Sequence, residues 1–135
     1  RPHRPEKMPA GLEETIRALG AAGEAAAAAL LRRRGYRIVA RNVRTRFGEL
    51  DLVAREGETI CFVEIKTRRS LMFGWPQEAV TRRKQWHLVR MAQWYLKARR
   101  LTAVPARFDV VAVLMGPDDR PTQIEVIPNA FEVPS

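Results

Sequence analysis

The sequence contains few of the residues from which disulfides, zinc sites and membrane helices are built. Cys61 is the only cysteine, so no internal disulfide can form and nothing indicates an oxidising compartment. No run approaches the roughly 18 apolar residues that cross a bilayer, and residues 1–9 lack the apolar stretch of a signal peptide. We therefore expect a cytoplasmic protein that does not contact membranes.

Several catalytic signatures are missing from the sequence as well. It has no Gly-rich phosphate loop, no Ser-His-Asp arrangement and no zinc-ligand spacing. Its two histidines, His3 and His87, each lack a second histidine or cysteine nearby in the sequence. The pattern therefore disfavours a histidine-based metal site or general base.

Acidic residues are outnumbered by basic ones. The chain has 24 Lys and Arg against 15 Asp and Glu, a formal net charge of +9, and its pI is near 10.9. A charge of this size aids the solubility of many small domains, but it also attracts phosphate backbones through counterion release. We expect a nucleic acid as partner, and DNA before RNA.

The length of 135 residues and the hydrophobic periodicity predict a single α/β domain. We expect a mobile tail at residues 1–11 and, at residues 12–135, a mixed β-sheet flanked by helices in the order α-β-β-β-α-β-β. The apolar connection 68–76 is expected to pack near the site or a partner. The predicted helices span residues 12–34 and about 77–100, and the predicted strands span 36–44, 49–55, 58–67, 106–115 and 123–127.

Two neighbouring predicted strands carry charged residues at alternating positions. Residues two apart in a strand point the same way, so Glu49 and Asp51 share one face of the first strand. Glu64 and Lys66 share a face of the second strand for the same reason. A tight turn at residues 55–58 would pair the strands and bring Asp51 toward Glu64. Carboxylates this close repel unless a cation lies between them, and hard oxygen ligands suit Mg²⁺ or Mn²⁺.

The opposite face of both strands is predicted to be apolar, and a strand of this kind is usually central in a sheet. A charge that is partly buried there destabilises the fold unless it is paired or bound to a metal. A solvated sheet face, salt-bridged to some of the many arginines, is the alternative explanation of the acids. The apolar positions are Leu50, Leu52, Val63 and Ile65.

Two residues of the predicted helices are expected near these strands. Glu24 flanks the apolar stripe of the first helix, among alanines. Lys84 falls on the apolar stripe of the second helix, so it is expected to point toward the sheet or to snorkel past it. The stripe of the first helix consists of Leu12, Ile16, Leu19, Gly23, Ala27 and Leu30, and that of the second of Val80, Leu88, Met91 and Tyr95.

The ordered set of these motifs resembles the YraN family. That family belongs to the PD-(D/E)XK, restriction-endonuclease-like superfamily, and its layout is closest to archaeal Holliday-junction resolvases. The resemblance covers residues 12–131, with one departure: Leu50 precedes Asp51 where the superfamily signature has proline. The matching segments are Gly23-Glu24, Asn42, residues 48–52, residues 62–68, Lys84 and residues 107–111.

The resemblance implies a restriction-endonuclease-like fold of two or three layers and a nuclease that depends on Mg²⁺ or Mn²⁺. By their places in the motifs, Asp51, Glu64 and Glu24 would bind the metal, with the carbonyl of Ile65 as a further ligand. Lys66 would orient or activate the attacking water and stabilise charge on the phosphorane. The implied catalytic set is Glu24, Asp51, Glu64 and Lys66.

Other charged residues receive supporting roles. Glu49 would assist the metal ligands without binding the metal itself. Asp109 is ambiguous, since a residue on a neighbouring strand could be structural, and it is left outside the catalytic set. Trp86 lies among basic residues of the second helix, where it could stack on a base or seal a subunit contact. A homodimer is the matching expectation, because resolvase-like enzymes cut two strands. The expected nucleic-acid contacts are Arg44, Arg46, Arg68, Arg69 and Lys84.

The leading hypothesis is therefore a metal-dependent endonuclease that hydrolyses phosphodiester bonds in DNA, with branched or single-stranded substrates favoured. One alternative is a non-catalytic scaffold of the same fold that binds nucleic acid without a metal. The other is a purely structural partner protein, whose complexes would survive mild salt and which would not bind DNA.

Overall fold

The computed structural model describes residues 10–69, 80–101 and 103–132. Its elements are α1 (Ala10–Arg33), β1 (Arg37–Thr45), β2 (Gly48–Glu56), β3 (Thr59–Arg68), α2 (Arg82–Ala98), β4 (Ala106–Met115) and β5 (Pro121–Ile127). The strands form one five-stranded sheet in chain order. β3 and β4 run parallel and the other neighbouring pairs antiparallel. The predicted mixed sheet and element order are confirmed.

The two helices pack on opposite faces of the sheet, which gives three layers. Ala27 and Leu31 of α1 lie in one buried cluster, whereas Leu88 and Tyr95 of α2 lie in another. Within the described residues, no helix has the length and apolar character needed to cross a membrane. β3 serves both clusters, with Cys61, Val63 and Ile65 toward α1 and Ile60 and Phe62 toward α2.

The second helix begins later than the sequence pattern predicts. We expected it from about residue 77, but α2 starts at Arg82, after an N-cap at Thr81 whose hydroxyl accepts a hydrogen bond from the Lys84 amide at 3.2 Å. The backbone of Thr81 is extended, with φ −65° and ψ 163°, so the helix cannot run through it. Residues 77–79, most of the predicted connection and residues 1–9 of the predicted tail lie outside the described part of the chain.

Only the second half of the predicted stripe on α1 is buried. Leu12 and Ile16 are each 49% exposed, whereas Ala27 is fully buried. Packing against the sheet begins near Leu19. Periodicity identifies the face of a helix that turns inward, but not how far the sheet extends beneath it. The predicted stripe therefore extends beyond the part of α1 that packs on the sheet.

The alternation predicted for β2 fails at Asp51. Leu50 and Leu52 were expected on one face, but Leu50 packs in the cluster around α2 and Leu52 in the cluster around α1. The adjacent strand β1 is irregular too, since Asn42 has a positive φ of 50°. The last register pair between β2 and β3 at this end is Leu52 with Val63. Strands β2 and β3 separate beyond that pair. Asp51 therefore lies at a point that side chains from both α1 and α2 can approach.

Helix α1 approaches the sheet closely at Gly23, one residue before Glu24. A Cβ atom at Gly23 would collide with the side chain of Thr67 on β3. Glycine at this position therefore lets the helix backbone pack directly on the strand. This close approach carries Glu24 into electrostatic range of Asp51.

Candidate active site

A side chain of β2 bonds to β3 beyond the end of their ladder. Oδ2 of Asp51 accepts a hydrogen bond from the backbone N–H of Ile65 at 2.8 Å. Asp51 and Glu64 also line one cleft, and they are close enough for the charge of Glu64 to act on Asp51. The sequence prediction that the hairpin brings these two acids together is thereby confirmed.

A cleft of about 540 Å³ lies where the two strands part. Its volume is typical of a small-ligand or substrate site. Residues of β2 and β3 form one side of the cleft, and Thr81 together with the first turns of α2 forms the other. Its charged lining residues are Glu49, Asp51, Glu64, Lys66, Arg83 and Lys84.

Glu64 is held by two lysines in this cleft. The residue is only 6% exposed. Nζ of Lys84 lies 2.6 Å from Oε1 of Glu64, and Nζ of Lys66 lies 3.2 Å from the same oxygen. A buried carboxylate requires such partners, because the cost of removing its charge from water is otherwise uncompensated. The inward orientation predicted for Lys84 is confirmed.

The second carboxyl group of the pair, Asp51, has a strongly shifted pKa. Burial and the nearby carboxylate of Glu64 raise the pKa of Asp51 to about 7. The hydrogen bond from Ile65 and the charge of Lys84 act in the opposite direction but do not cancel these effects. Asp51 is therefore poised between its neutral and ionised forms near physiological pH.

The two lysines differ in how firmly they are held. Burial lowers the pKa of Lys66, and the neighbouring Lys84 adds to this effect. Burial also acts to lower the pKa of Lys84, but hydrogen bonding to Glu64 and Lys66 and the charges of Glu64 and Asp51 together outweigh it, so the pKa is raised. Lys84 is thus the firm counter-ion of Glu64, while Lys66 is the more weakly held cation.

Glu24 approaches from the α1 side and is not among the residues that line the cleft. Burial raises the pKa of Glu24, and the Glu49 carboxylate raises it further. Among the described residues, no three Asp, Glu, His or Cys side chains are grouped closely enough to hold one metal ion. The three predicted metal ligands Glu24, Asp51 and Glu64 therefore do not form one close cluster, and of these three only Asp51 and Glu64 line the cleft.

The paired acids fit a divalent cation in their donor chemistry. Oδ1 of Asp51 and Oε2 of Glu64 accept no hydrogen bond from the described residues. Carboxylate oxygens are the ligands that Mg²⁺ and Mn²⁺ prefer in proteins. Ile65 also lines the cleft, which keeps its carbonyl as a candidate ligand. A cation at this point would offset the repulsion that helps to raise the pKa of Asp51.

The predicted phosphate-binding arginines lie in three places. Arg44 and Arg46 belong to the β1 end beside the cleft, where the Arg44 side chain is 91% exposed. Arg68 ends β3 and is partly buried. Arg69 instead forms an ion pair with Asp119 in the turn between β4 and β5. That turn contributes no residue to the lining of the cleft.

Phe47, Arg83 and His87 line the cleft but were not among the predicted site residues. Phe47 precedes the turn glycine at the start of β2, and Arg83 precedes Lys84. His87 follows Lys84 by three residues, which places both on one side of a helix. Their closeness in sequence to the motif residues could have indicated that they belong to the site, but we assigned them no role from the sequence.

Asp109 lies on the face of the sheet that is turned toward α1, away from the cleft. It is 1% exposed. Its Oδ1 accepts hydrogen bonds from Nε of Arg107 at 3.0 Å and from the backbone N–H of Asn129 at 2.9 Å. Arg107 also donates to the hydroxyl of Tyr36 at 2.8 Å. This network joins β4 to the segments that follow α1 and β5, in agreement with a structural role for Asp109.

Comparisons with a family model and with individual proteins indicate the same family. Residues 23–113 match the model of a family described as "Uncharacterised protein family UPF0102". A UPF0102 protein of Syntrophotalea carbinolica is 50% identical over 85% of this chain and 92% of its own length. One of Moorella thermoacetica is 51% identical over 87% and 98%, respectively. One of Symbiobacterium thermophilum is 52% identical over 85% and 97%.

Proposed function

The chain belongs to the UPF0102 family, and we propose that it is a metal-dependent endonuclease that hydrolyses phosphodiester bonds in DNA. The proposal includes its placement as a YraN-type member of the PD-(D/E)XK, restriction-endonuclease-like superfamily, with branched or single-stranded DNA as substrate. One observation carries it: Asp51 and Glu64 lie beside Lys66 and Lys84 in a cleft of a chain with net charge +9.

Asp51 and Glu64 would hold the Mg²⁺ or Mn²⁺ ion, with Glu24 supporting them at longer range. When bound, such an ion lowers the pKa of its water and neutralises charge on the phosphate. Asp51 must be ionised to act as a ligand. Because its pKa is about 7, protons compete with the metal below neutral pH.

The two lysines have separate tasks in this proposal. Lys84 orients Glu64, as the 2.6 Å distance between Nζ of Lys84 and Oε1 of Glu64 supports. Lys66 orients the attacking water and donates a hydrogen bond to the charge that develops on the phosphate. A donor of this kind contributes about 3 kcal/mol of transition-state stabilisation. Arg44 and Arg46 would bind phosphates on either side of the scissile bond.

A non-catalytic nucleic-acid-binding scaffold is the second candidate function. It is favoured by the two lysines at Glu64, which compensate that carboxylate without a metal. The separation of Glu24 from the other two acids points in the same direction. The raised pKa of Asp51 favours the nuclease, since a partly buried carboxyl group held beside a second carboxylate is hard to explain in a scaffold.

Cleavage of DNA distinguishes the two functions. We expect purified protein with Mg²⁺ or Mn²⁺ to cut branched or single-stranded DNA, and chelation of the metal to stop the reaction. The measurement is gel electrophoresis of labelled branched, nicked, single-stranded and duplex substrates. The double variant Asp51→Ala/Glu64→Ala should bind DNA but not cut it.

The double variant is also the control for contamination. Cleavage that persists in it would have to come from another protein, and the nuclease proposal would lose its support. DNA binding by the wild type without cleavage of any of these substrates would favour the scaffold.

A further inference from the structure

Helix α2 turns toward solvent a face that contains aromatic rings and positive charges but no acid. Its sequence has neither aspartate nor glutamate. The exposed positions are spaced so that they fall on one side of the helix. Six of them are Arg83, Trp86, His87, Arg90, Trp94 and Lys97. A face of this composition is complementary to an anion that also offers flat apolar surfaces.

The two tryptophans of this face are unusual for a surface without a partner. Trp86 is 39% exposed and Trp94 is 40% exposed, whereas Tyr95 on the inner side is 2% exposed. Trp86, Arg90 and Trp94 follow one another at intervals of four residues, so the arginine lies between the rings along the helix. Indole rings beside a guanidinium group are the typical elements of a surface that stacks on nucleic-acid bases.

Phe47 connects this helical face to the cleft. It lies in the turn between β1 and β2, is 36% exposed and lines the cleft together with Asp51 and Glu64. The guanidinium of Arg90 lies 5.8 Å from the centroid of its ring, and that of Arg46 lies 5.5 Å away. The aromatic and basic surface therefore runs continuously from α2 to the mouth of the cleft.

We propose that Phe47, Trp86, Arg90 and Trp94 form a stacking face that binds unpaired nucleotides of a DNA strand next to the cleft. Side-chain rings can stack on bases that are unpaired, whereas the bases of an intact duplex already stack on one another. A second copy of the chain fits the face poorly, because a like-charged surface would meet it. The idea that the bound strand is a substrate rests on the proposed nuclease function. The binding itself does not, because it can be measured without cleavage.

Binding in the presence of a chelator tests the stacking face without any cleavage. The probe is a fluorescein-labelled oligothymidylate, compared by anisotropy with a blunt DNA duplex of equal length. We expect Phe47→Ala and Trp86→Ala each to weaken binding of the single strand about tenfold, the usual effect of losing one stacked base. Binding of the duplex should change by less than about twofold, because phosphate contacts dominate it.

Matched variants separate stacking from other effects. Ile16→Ala removes an exposed apolar side chain from α1 and should leave single-strand binding unchanged. Arg120→Ala removes an exposed charge from the turn after β4 and should weaken binding only by the effect of one lost charge. Trp86→Phe keeps a ring and should restore most of the affinity that Trp86→Ala loses. Circular dichroism confirms that each variant is folded.

Three outcomes would overturn the inference. Equal losses on single strand and duplex would mean a general electrostatic surface, and unchanged binding would remove the stacking role. A wild-type dimer that Trp86→Ala dissociates in light scattering, with DNA binding unaffected, would mean a subunit interface. Selective loss of single-strand binding in a protein that never cuts DNA would retain the stacking face and reject only the nuclease.

Discussion

Asp51→Asn is expected to reduce DNA cleavage by about two to three orders of magnitude while making the metal-free protein more stable. Loss of a metal-binding carboxylate removes charge stabilisation from the transition state, which accounts for the effect on rate. The asparagine side chain still offers an oxygen to the N–H of Ile65, whose hydrogen bond to Asp51 is 2.8 Å long. The local structure should therefore survive the substitution.

The gain in stability follows from the raised pKa. Asp51 has a pKa of about 7 in the folded protein against an ordinary value of 3.8 for an aspartate in water. Between these values the unfolded chain has released the proton that the folded chain still holds, so rising pH destabilises the fold until about pH 7. Each pH unit in this interval corresponds to about 1.4 kcal/mol, which sets an upper bound of about 4 kcal/mol. An asparagine side chain at this position carries no charge and escapes this penalty.

Urea unfolding with a chelator, at pH 4 and at pH 8, measures the effect. We expect wild type and Asp51→Asn to differ little at pH 4 and the variant to be more stable at pH 8. Glu58→Gln, an exposed position in the turn of the same hairpin, is the matched loss of one acid and should change neither stability nor cleavage. A variant less stable than wild type at pH 8 would contradict the account of Asp51.

Asp109→Ala is expected to lower the free energy of unfolding by about 3 kcal/mol or more and to leave cleavage per folded molecule unchanged. The substitution removes the acceptor for Arg107 and for the backbone N–H of Asn129. Arg107 would keep its hydrogen bond to the Tyr36 hydroxyl and its ion pair with Glu56, whose side chain is 47% exposed. Breaking a buried ion pair from one side costs this much because the remaining charge is left poorly compensated.

Denaturant unfolding and cleavage assays on the same samples check this prediction. Glu125→Ala, an exposed position on β5, is the control and should cost less than about 0.5 kcal/mol. Loss of cleavage in folded Asp109→Ala protein would place Asp109 in the active site and refute its structural role.

The approach of Asp51 to Glu64 could be predicted because both residues lie on one hairpin, but the register of that hairpin was predicted wrongly. A turn at residues 55–58 would set Leu52 opposite Cys61, whereas the structure has Leu52 opposite Val63, because the turn lies one residue later. The inward direction of Lys84 was likewise predictable from its place on a 3.6-residue stripe. Both predictions required only the geometry of a single hairpin or a single helix.

Features that depend on how the layers fit together were not predictable. The strands part beyond Leu52, and this sends Leu50 to the opposite cluster from the one expected. The exposure of Ile16 depends on where the sheet ends beneath α1, which the periodicity of one helix does not contain. Phe47 reaches the cleft and Arg90 only through tertiary packing. The sequence pattern of a helix or strand indicates which of its faces is apolar. The contacts described here depend on how the helices and strands pack on one another.

Calorimetric titration of the metal-free protein with Mn²⁺ tests the central claim most directly. The account predicts saturable binding at pH 8 that weakens as the pH falls below about 7, because Asp51 must lose its proton to bind. Asp51→Asn and Glu64→Gln should each abolish it, and Glu58→Gln should not. Absence of binding by the wild type, or equal binding by all three variants, would contradict a metal site formed by these two acids.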